Sequence, residues 1–145
     1  METSMDFGHQ LINSYSNLCK PLCHELKISQ TAFDILMFLA NHPNYTTAGD
    51  VVRIRHIKAN LVSMNVDKLV HEGYLNRILD CEDRRRTNLL LTEKAQEIIR
   101  KGKQLQQFFV QSLFKDIDEK ELTIFFDVMK KIEGNLDEIK GGNMH

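Results

Sequence analysis

Three consecutive arginines, Arg84, Arg85 and Arg86, end a charged loop that begins at Asp80. Each guanidinium group carries a permanent positive charge and a planar set of donors, which suits phosphate oxygens and the edges of bases. Charge runs are usually only solvated loops. This run, however, lies between two short segments that read as β-strands, so the arginines are predicted to lie together at a hairpin tip. We therefore expect this tip to bind the phosphates of DNA.

A helix is predicted immediately before the hairpin. Val62, Val66 and Leu69 recur at the spacing of one helix face, and Gly73 then permits the left-handed conformation that closes a helix C-terminus. The two strands are predicted at residues 74–79 and 88–91. A helix followed by an arginine-tipped hairpin is the arrangement of a winged helix-turn-helix. In that fold the helix enters the major groove and the wing follows phosphates or the minor groove.

The predicted DNA-binding residues lie on this helix, just before it and on the wing. They are Lys58, Asn60, Ser63, Met64, Arg77, Arg84, Arg85, Arg86, Arg53 and Arg55. An asparagine reads adenine through two hydrogen bonds, and lysine or serine reaches bases or phosphates. The alternative is that the polar residues on the exposed side of this helix, Lys58, Asn60 and Ser63, are ordinary solvated residues.

Four of the charged residues have a structural alternative. Arg53 and Arg55 would either clamp the DNA backbone or pair with Asp50 or Glu72. Arg77 would hold the wing, contact phosphate, or do both. Asp83 is expected to orient an arginine through a bidentate pair, because a carboxylate is repelled by phosphate.

The predicted winged helix-turn-helix spans about residues 30–92 and is called the reader below. Amphipathic helices are predicted on both sides of it. One stripe at helical spacing consists of Phe7, Leu11, Tyr15, Leu18, Leu22 and Leu26. Ser29 is expected to cap the second helix, and Thr46 or Thr47 the third. Thr92 is expected to cap a helix over residues 93–115.

The last helix is predicted to start at Asp118, with Glu121 completing a capping box. The tail, residues 141–145, is expected to be frayed. The fold class is thus mainly α with a small β-hairpin wing, in a single domain of 145 residues. The helices at about 5–26 and 93–140 carry more apolar surface than the reader can cover. A homodimer on a palindromic operator is therefore expected.

The charge distribution agrees with a local DNA-binding surface. The formal net charge is -1, but residues 53–86 contain eight Lys/Arg and five Asp/Glu, a local charge of +3. Three cysteines do not make a disulfide framework, which favours a reducing cytoplasm. We also expect no signal peptide, no membrane association and no cofactor.

The three cysteines have either a structural role or a sensing role. Cys19 and Cys23, beside His24, are expected to fill a core, with redox or metal sensing as the alternative. Cys81 would be either an incidental surface thiol or a redox- or metal-responsive switch. Tyr15 and the aromatic residues of the second helix either line an effector cleft or are core. No motif of a hydrolase, phosphate loop or zinc protease is present, so no enzyme activity is expected.

The sequence from Asp83 to Thr92 resembles the wing signature of the MarR family of transcription regulators, Asp-Arg-Arg followed by Leu-x-Leu-Thr. Glu72-Gly73-Tyr74-Leu75 with Arg77 is similar to the entry to that wing. The resemblance implies an intertwined homodimer that acts as a repressor and is released by a small molecule or an oxidant. Met64 stands where basic or small residues are common, so no base preference is implied. A protein-interaction module on the same fold is the alternative.

Overall fold

The computed structural model describes residues 3–141. Their elements follow one another as α1 (Thr3–Leu26), α2 (Gln30–Asn41), α3 (Ala48–Arg55), α4 (Ala59–His71), β1 (Leu75–Leu79), β2 (Thr87–Leu91), α5 (Gln96–Leu113) and α6 (Glu119–Lys140). The predicted mainly α fold with one antiparallel hairpin is confirmed. The chain divides into two compact units, residues 1–109 and 110–145. None of the described helices is both long and apolar enough to cross a bilayer.

Helix α2 forms the centre of the first unit. Its apolar residues are buried around most of its circumference: Ala32, Phe33, Ile35, Leu36, Met37, Phe38 and Leu39. The predicted cap is confirmed, because Ser29 Oγ accepts a hydrogen bond from the backbone of Ala32 at 3.0 Å. The aromatic side chains of α2 are therefore core residues, which is one of the two roles expected for them, and they do not line an open cleft.

Helices α3 and α4 form the helix-turn-helix. Thr47, rather than Thr46, caps α3 in a reciprocal capping box with Asp50. His56 ends α3 in the left-handed conformation, at φ 57°. Helix α4 then begins after Lys58, whose side chain makes no capping hydrogen bond. Its start depends instead on the burial of its apolar face against the core.

The turn after α4 sets the direction of the hairpin. Gly73 has φ +86°, and the next backbone N–H, of Tyr74, donates to Leu69 O at 2.8 Å. Strand β1 pairs with β2 so that Leu75 faces Leu91 and Leu79 faces Thr87. Strand β1 thus follows directly after the turn that ends α4, and β2 returns antiparallel beside β1.

Thr92 stands at an N-cap position as predicted, but it precedes a 3-10 turn and its side chain bonds elsewhere. Its Oγ1 donates to Gly73 O at 2.6 Å and its N–H to Tyr74 O at 3.1 Å, which closes the base of the hairpin. With its hydroxyl used there, the side chain of Thr92 makes no capping hydrogen bond to the turn that follows. Residues Glu93–Ala95 form one 3-10 turn, and α5 begins at Gln96.

The second unit contains the last four residues of α5, a short connection and α6. Asp118 starts α6 as predicted, accepting from Glu121 N–H at 2.8 Å, which is one half of the capping box. Phe114 packs edge-on against Phe125 and Phe126. Most of the large apolar side chains of α6 are exposed, and besides Phe125 and Phe126 these include Ile124, Val128, Ile132, Leu136 and Ile139. Apart from Gly141, the predicted frayed tail lies outside the described residues.

Candidate nucleic-acid interface

Helix α4 separates a buried face from a solvent face. Val62, Val66 and Leu69 are almost fully buried against the core. The predicted reading residues are all exposed: Lys58, Asn60, Ser63 and Met64. An exposed polar arc on the second helix of a helix-turn-helix is the surface that meets base edges in this motif.

Two other polar residues of α4 form bonds to neighbouring groups of the protein. Asn65 Nδ2 donates to Leu61 O at 2.8 Å, and its Oδ1 accepts from Ser29 Oγ at 3.0 Å. Asp67 forms an ion pair with Arg77 of β1. The pair ties the wing to α4, so the holding role predicted for Arg77 is observed. Its partly exposed guanidinium group remains beside the solvent arc.

The acidic residues of the wing shape its tip. Asp80 Oδ1 accepts from Glu82 N–H at 2.9 Å and Asp83 N–H at 3.3 Å, and these bonds hold the pKa of Asp80 below its usual value. Asp83 Oδ1 accepts from the backbone N–H of Arg85 at 3.0 Å. The predicted bidentate pair is wrong, because the carboxylate of Asp83 meets the guanidinium only through Nε of Arg85 at 3.7 Å. Asp83 therefore positions the backbone of the arginine run.

The three arginines have different environments. Arg84 is exposed and forms no ion pair with any described residue, and the side chain of Arg85 is 96% exposed. Arg86 is 44% exposed and folds back onto the helix-turn-helix. Its Nη2 lies 3.4 Å from Thr46 Oγ1 and 3.9 Å from Asp50 Oδ2. Two of the three arginines thus extend into solvent, and the third connects the wing to the start of α3.

A polar network continues this connection. Thr46 Oγ1 donates to Asn88 Oδ1 at 2.6 Å, and Asn88 Nδ2 donates to Asp80 Oδ2 at 3.3 Å. The backbone of Thr46 accepts from Leu89 N–H at 2.7 Å. The wing is therefore fixed to the loop before α3 from both strand and tip. This network was not predicted from the sequence; its signal was Asn88, a polar residue directly before the apolar run Leu89-Leu90-Leu91.

Asp50 lies at the other end of the network. Its Oδ2 accepts from the backbones of Thr46 and Thr47 at 3.1 and 3.2 Å, and its Oδ1 accepts from Arg53 at 3.1 Å. Partial burial raises the pKa of Asp50, but these bonds outweigh it and hold the pKa below its usual value. Of the two alternatives for Arg53, pairing with Asp50 is observed. Arg55 is exposed at the end of α3.

A pocket of about 260 Å³ lies between α3, α4 and the hairpin. Its lining is mainly apolar, with two polar residues from the predicted interface, Ser63 and Arg77.

Tyr15, the other residue considered for an effector cleft, lies elsewhere. Its ring packs edge-on against Phe109, and its hydroxyl accepts from Gln106 Nε2 at 2.8 Å. Burial raises the pKa of Tyr15 above its usual value. Tyr15 is therefore a packing residue of the first unit.

The cysteines fall into two classes. Cys19 and Cys23 are buried in the core of the first unit, whereas Cys81 is exposed on the wing. Burial raises the pKa of both core thiols, to about 11 for Cys23. Among the described residues, no group of three or more His, Cys, Asp or Glu could hold a metal ion.

Thiol titration should separate these classes. At neutral pH we expect Ellman's reagent to modify one thiol per native chain, Cys81, because the thiolate is the reactive form and the core thiols stay protonated. In guanidinium chloride all three thiols should react. Cys81→Ser should abolish the fast phase; a fast phase that survives this substitution would show that the core around α1 opens readily.

This arrangement is similar to that of known proteins. Residues 26–86 match the model of the MarR family. No curated protein sequence matches the chain closely enough to count as a relative. The structure of the transcriptional regulator PA3341 superposes with a TM-score of 0.81 at 25% identity, covering 92% of this chain and 97% of that one.

Two further structures share the fold. A MarR family regulator from Listeria monocytogenes, solved in complex with a 26mer DNA, has a TM-score of 0.81 at 19% identity and covers 97% of this chain and 95% of its own. A MarR regulator from Methanosarcina mazei Go1 has a TM-score of 0.76 at 21% identity, with 94% and 99% covered. The likeness extends through α1, α5 and α6, beyond the segment that matches in sequence.

Proposed function

We propose that the chain is a winged helix protein of the MarR family and that it is a DNA-binding transcriptional regulator without catalytic activity, and the match of residues 26–86 to the family model supports this. It acts in the cytoplasm as a homodimer on a palindromic operator. The observation that carries this proposal is the wing: its base is fixed to the helix-turn-helix, while Arg84 and Arg85 extend into solvent. A fixed base with exposed cationic side chains at its tip suits phosphate contacts, because the backbone of the wing loses little conformational freedom on binding.

Affinity and specificity come from different parts of the reader. Arg84 and Arg85, with Arg53, Arg55 and Arg77 behind them, supply a salt-dependent attraction to the DNA backbone. Arg86 contributes mainly by holding the wing, since its guanidinium group lies among Thr46, Asp50, Asp80 and Asn88. The exposed arc of α4 supplies the base contacts, led by Lys58, Asn60 and Ser63.

The dimer is supported by the exposed apolar side chains on the helices outside the reader. They include Phe7 and Ile12 of α1 and the stripe of α6 that runs through Ile132 and Leu136. Exposed apolar side chains that continue along one helix are typical of partner surfaces. A second copy is the natural partner, because two-fold symmetry presents two α4 helices to a palindrome.

We propose that the protein is a repressor released by a small molecule. The pocket between α3, α4 and the hairpin supports this, since Ser63 and Arg77 belong both to its lining and to the predicted interface. A ligand held there would compete for these side chains and shift α4 against the wing. Release then follows from the difference in ligand affinity between the free and the DNA-bound conformations.

The wing can be tested by fluorescence anisotropy over a salt series, with DNA upstream of the protein's own coding region and with pooled random duplexes. Arg84→Ala/Arg85→Ala should weaken binding and flatten the plot of log affinity against log salt, by about 0.9 for each phosphate that is no longer neutralised. Arg86→Gln, the matched control, should weaken binding with a smaller change of slope. Unchanged slopes in the double variant would remove the wing from the DNA backbone.

The interaction-module alternative makes the opposite prediction. A folded protein that binds none of these duplexes would favour it. The redox alternative keeps DNA binding and predicts that peroxide weakens it through Cys81. Equal peroxide sensitivity of wild type and Cys81→Ser would exclude Cys81 as the sensor.

A further inference from the structure

Met64 is a large apolar residue at the centre of the solvent face of α4. It is 64% exposed. It lies two residues after Val62 and two before Val66, both buried, and a helix turns by about 100° per residue. Its side chain is therefore directed away from the protein core.

Leu61 extends this apolar surface. It is 37% exposed, at the edge of the same face, three residues before Met64. Its carbonyl oxygen accepts from Asn65, which fixes the backbone there. Leu61 and Met64 thus form an apolar pair in the first half of α4, beside the polar residues Asn60 and Ser63.

The position of this pair indicates what it meets. In a helix-turn-helix the N-terminal half of the second helix contacts base edges in the major groove. The one apolar group that B-DNA presents there is the C5-methyl group of thymine. Contact with that methyl would cover apolar surface on both sides, whereas contact with phosphate or with a guanine edge would leave polar groups unpaired.

We propose that Met64, supported by Leu61, reads a thymine methyl group in each half-site of the operator. The inference rests on the proposed DNA-binding function and adds a specificity-determining contact to it. Asn60 lies one helical turn before Met64 and has the side chain that pairs with adenine. The centre of each half-site is therefore expected to be rich in A·T pairs.

The test begins with selection of a binding site from random duplexes by wild-type protein. Each thymine of the selected site is then replaced by deoxyuridine, symmetrically in both half-sites, which removes only the methyl group. For wild type, one position should weaken binding by about fourfold per half-site, the effect of burying one methyl group. Met64→Ala should bind the thymine and deoxyuridine duplexes equally.

Two further variants separate the contact from a structural role. Met64→Leu keeps an apolar side chain and should keep the preference for thymine, whereas Met64→Gln should lose it. Neither changes a charge, so the salt dependence should be that of wild type. Met64 is exposed, so all three variants should unfold at the wild-type temperature.

The outcomes distinguish the inference from its premise. Insensitivity of wild type to deoxyuridine at every position would overturn the inference while DNA binding stands. The same weakening in wild type and in Met64→Ala would also overturn it, because another residue or the DNA shape would then be responsible. Failure to enrich any sequence would overturn the proposed function itself, and the inference with it.

Discussion

Ile132→Glu/Leu136→Glu is expected to convert the proposed dimer into a monomer and to weaken operator binding by at least about 100-fold. Both side chains are exposed on one stripe of α6. A dimer holds both reading helices on the palindrome at once, and loss of the second binding event removes a factor of about 10²–10⁴. Two carboxylates in an apolar interface would be desolvated without partners, which opposes association. Sedimentation equilibrium and anisotropy on the selected operator measure the two effects.

A matched control lies on the same helix. Lys130→Glu changes the net charge by the same two units as the double variant, but about 160° around α6 from Ile132. It should leave the molecular mass and operator affinity near those of wild type. Far-UV circular dichroism should show folded helices in all three proteins, since the first unit has its own core. A double variant that remains dimeric would place the partner surface elsewhere than on this stripe.

Local patterns were sufficient for most of the fold. The spacing of Val62, Val66 and Leu69 predicted α4 and its buried face correctly, because an amphipathic helix needs only a nearby core. Ser29 and Asp118 were identified as caps because a cap bonds to its own first turn. These interactions are set within a few residues of chain.

Contacts between distant segments were not predictable in the same way. Thr92 is a residue type that commonly caps helices, but its hydroxyl bonds to Gly73, nineteen residues earlier, across the base of the hairpin. Arg86 is indistinguishable from Arg84 in sequence, yet Thr46 and Asp50 hold it against α3. Only the docking of the wing on the helix-turn-helix distinguishes these two arginines.

The first unit also contains a packing constraint that no pattern indicated. Gly102 is buried in α5, in the middle of a helix where glycine is unfavourable by itself. A Cβ atom there would overlap Sδ of Met37 and lie 3.0 Å from Cε1 of Phe33. The absence of a side chain is thus what lets α5 approach α2.

Gly102→Val is expected to destabilise the protein by about 2–3 kcal/mol, the cost of forcing extra methyl groups into a packed core. Met37 and Phe33 are fully buried and have little room to move. The midpoint of thermal unfolding should fall by roughly 5–10 °C for a chain of this length. Chemical denaturation followed by circular dichroism measures the free energy of unfolding directly.

Gly49→Ala is the matched control, because a Cβ at Gly49 would meet only Thr47 Oγ1 at an ordinary 3.7 Å. It should be neutral or stabilise by up to about 1 kcal/mol, as the helix propensity of alanine predicts. Met37→Ala should cost about 2–5 kcal/mol alone. Combined with Gly102→Val it should cost less than the sum of the two, because the overlap is then gone. Strict additivity of the two free-energy changes would mean that Gly102→Val destabilises the protein by something other than overlap with the Met37 side chain.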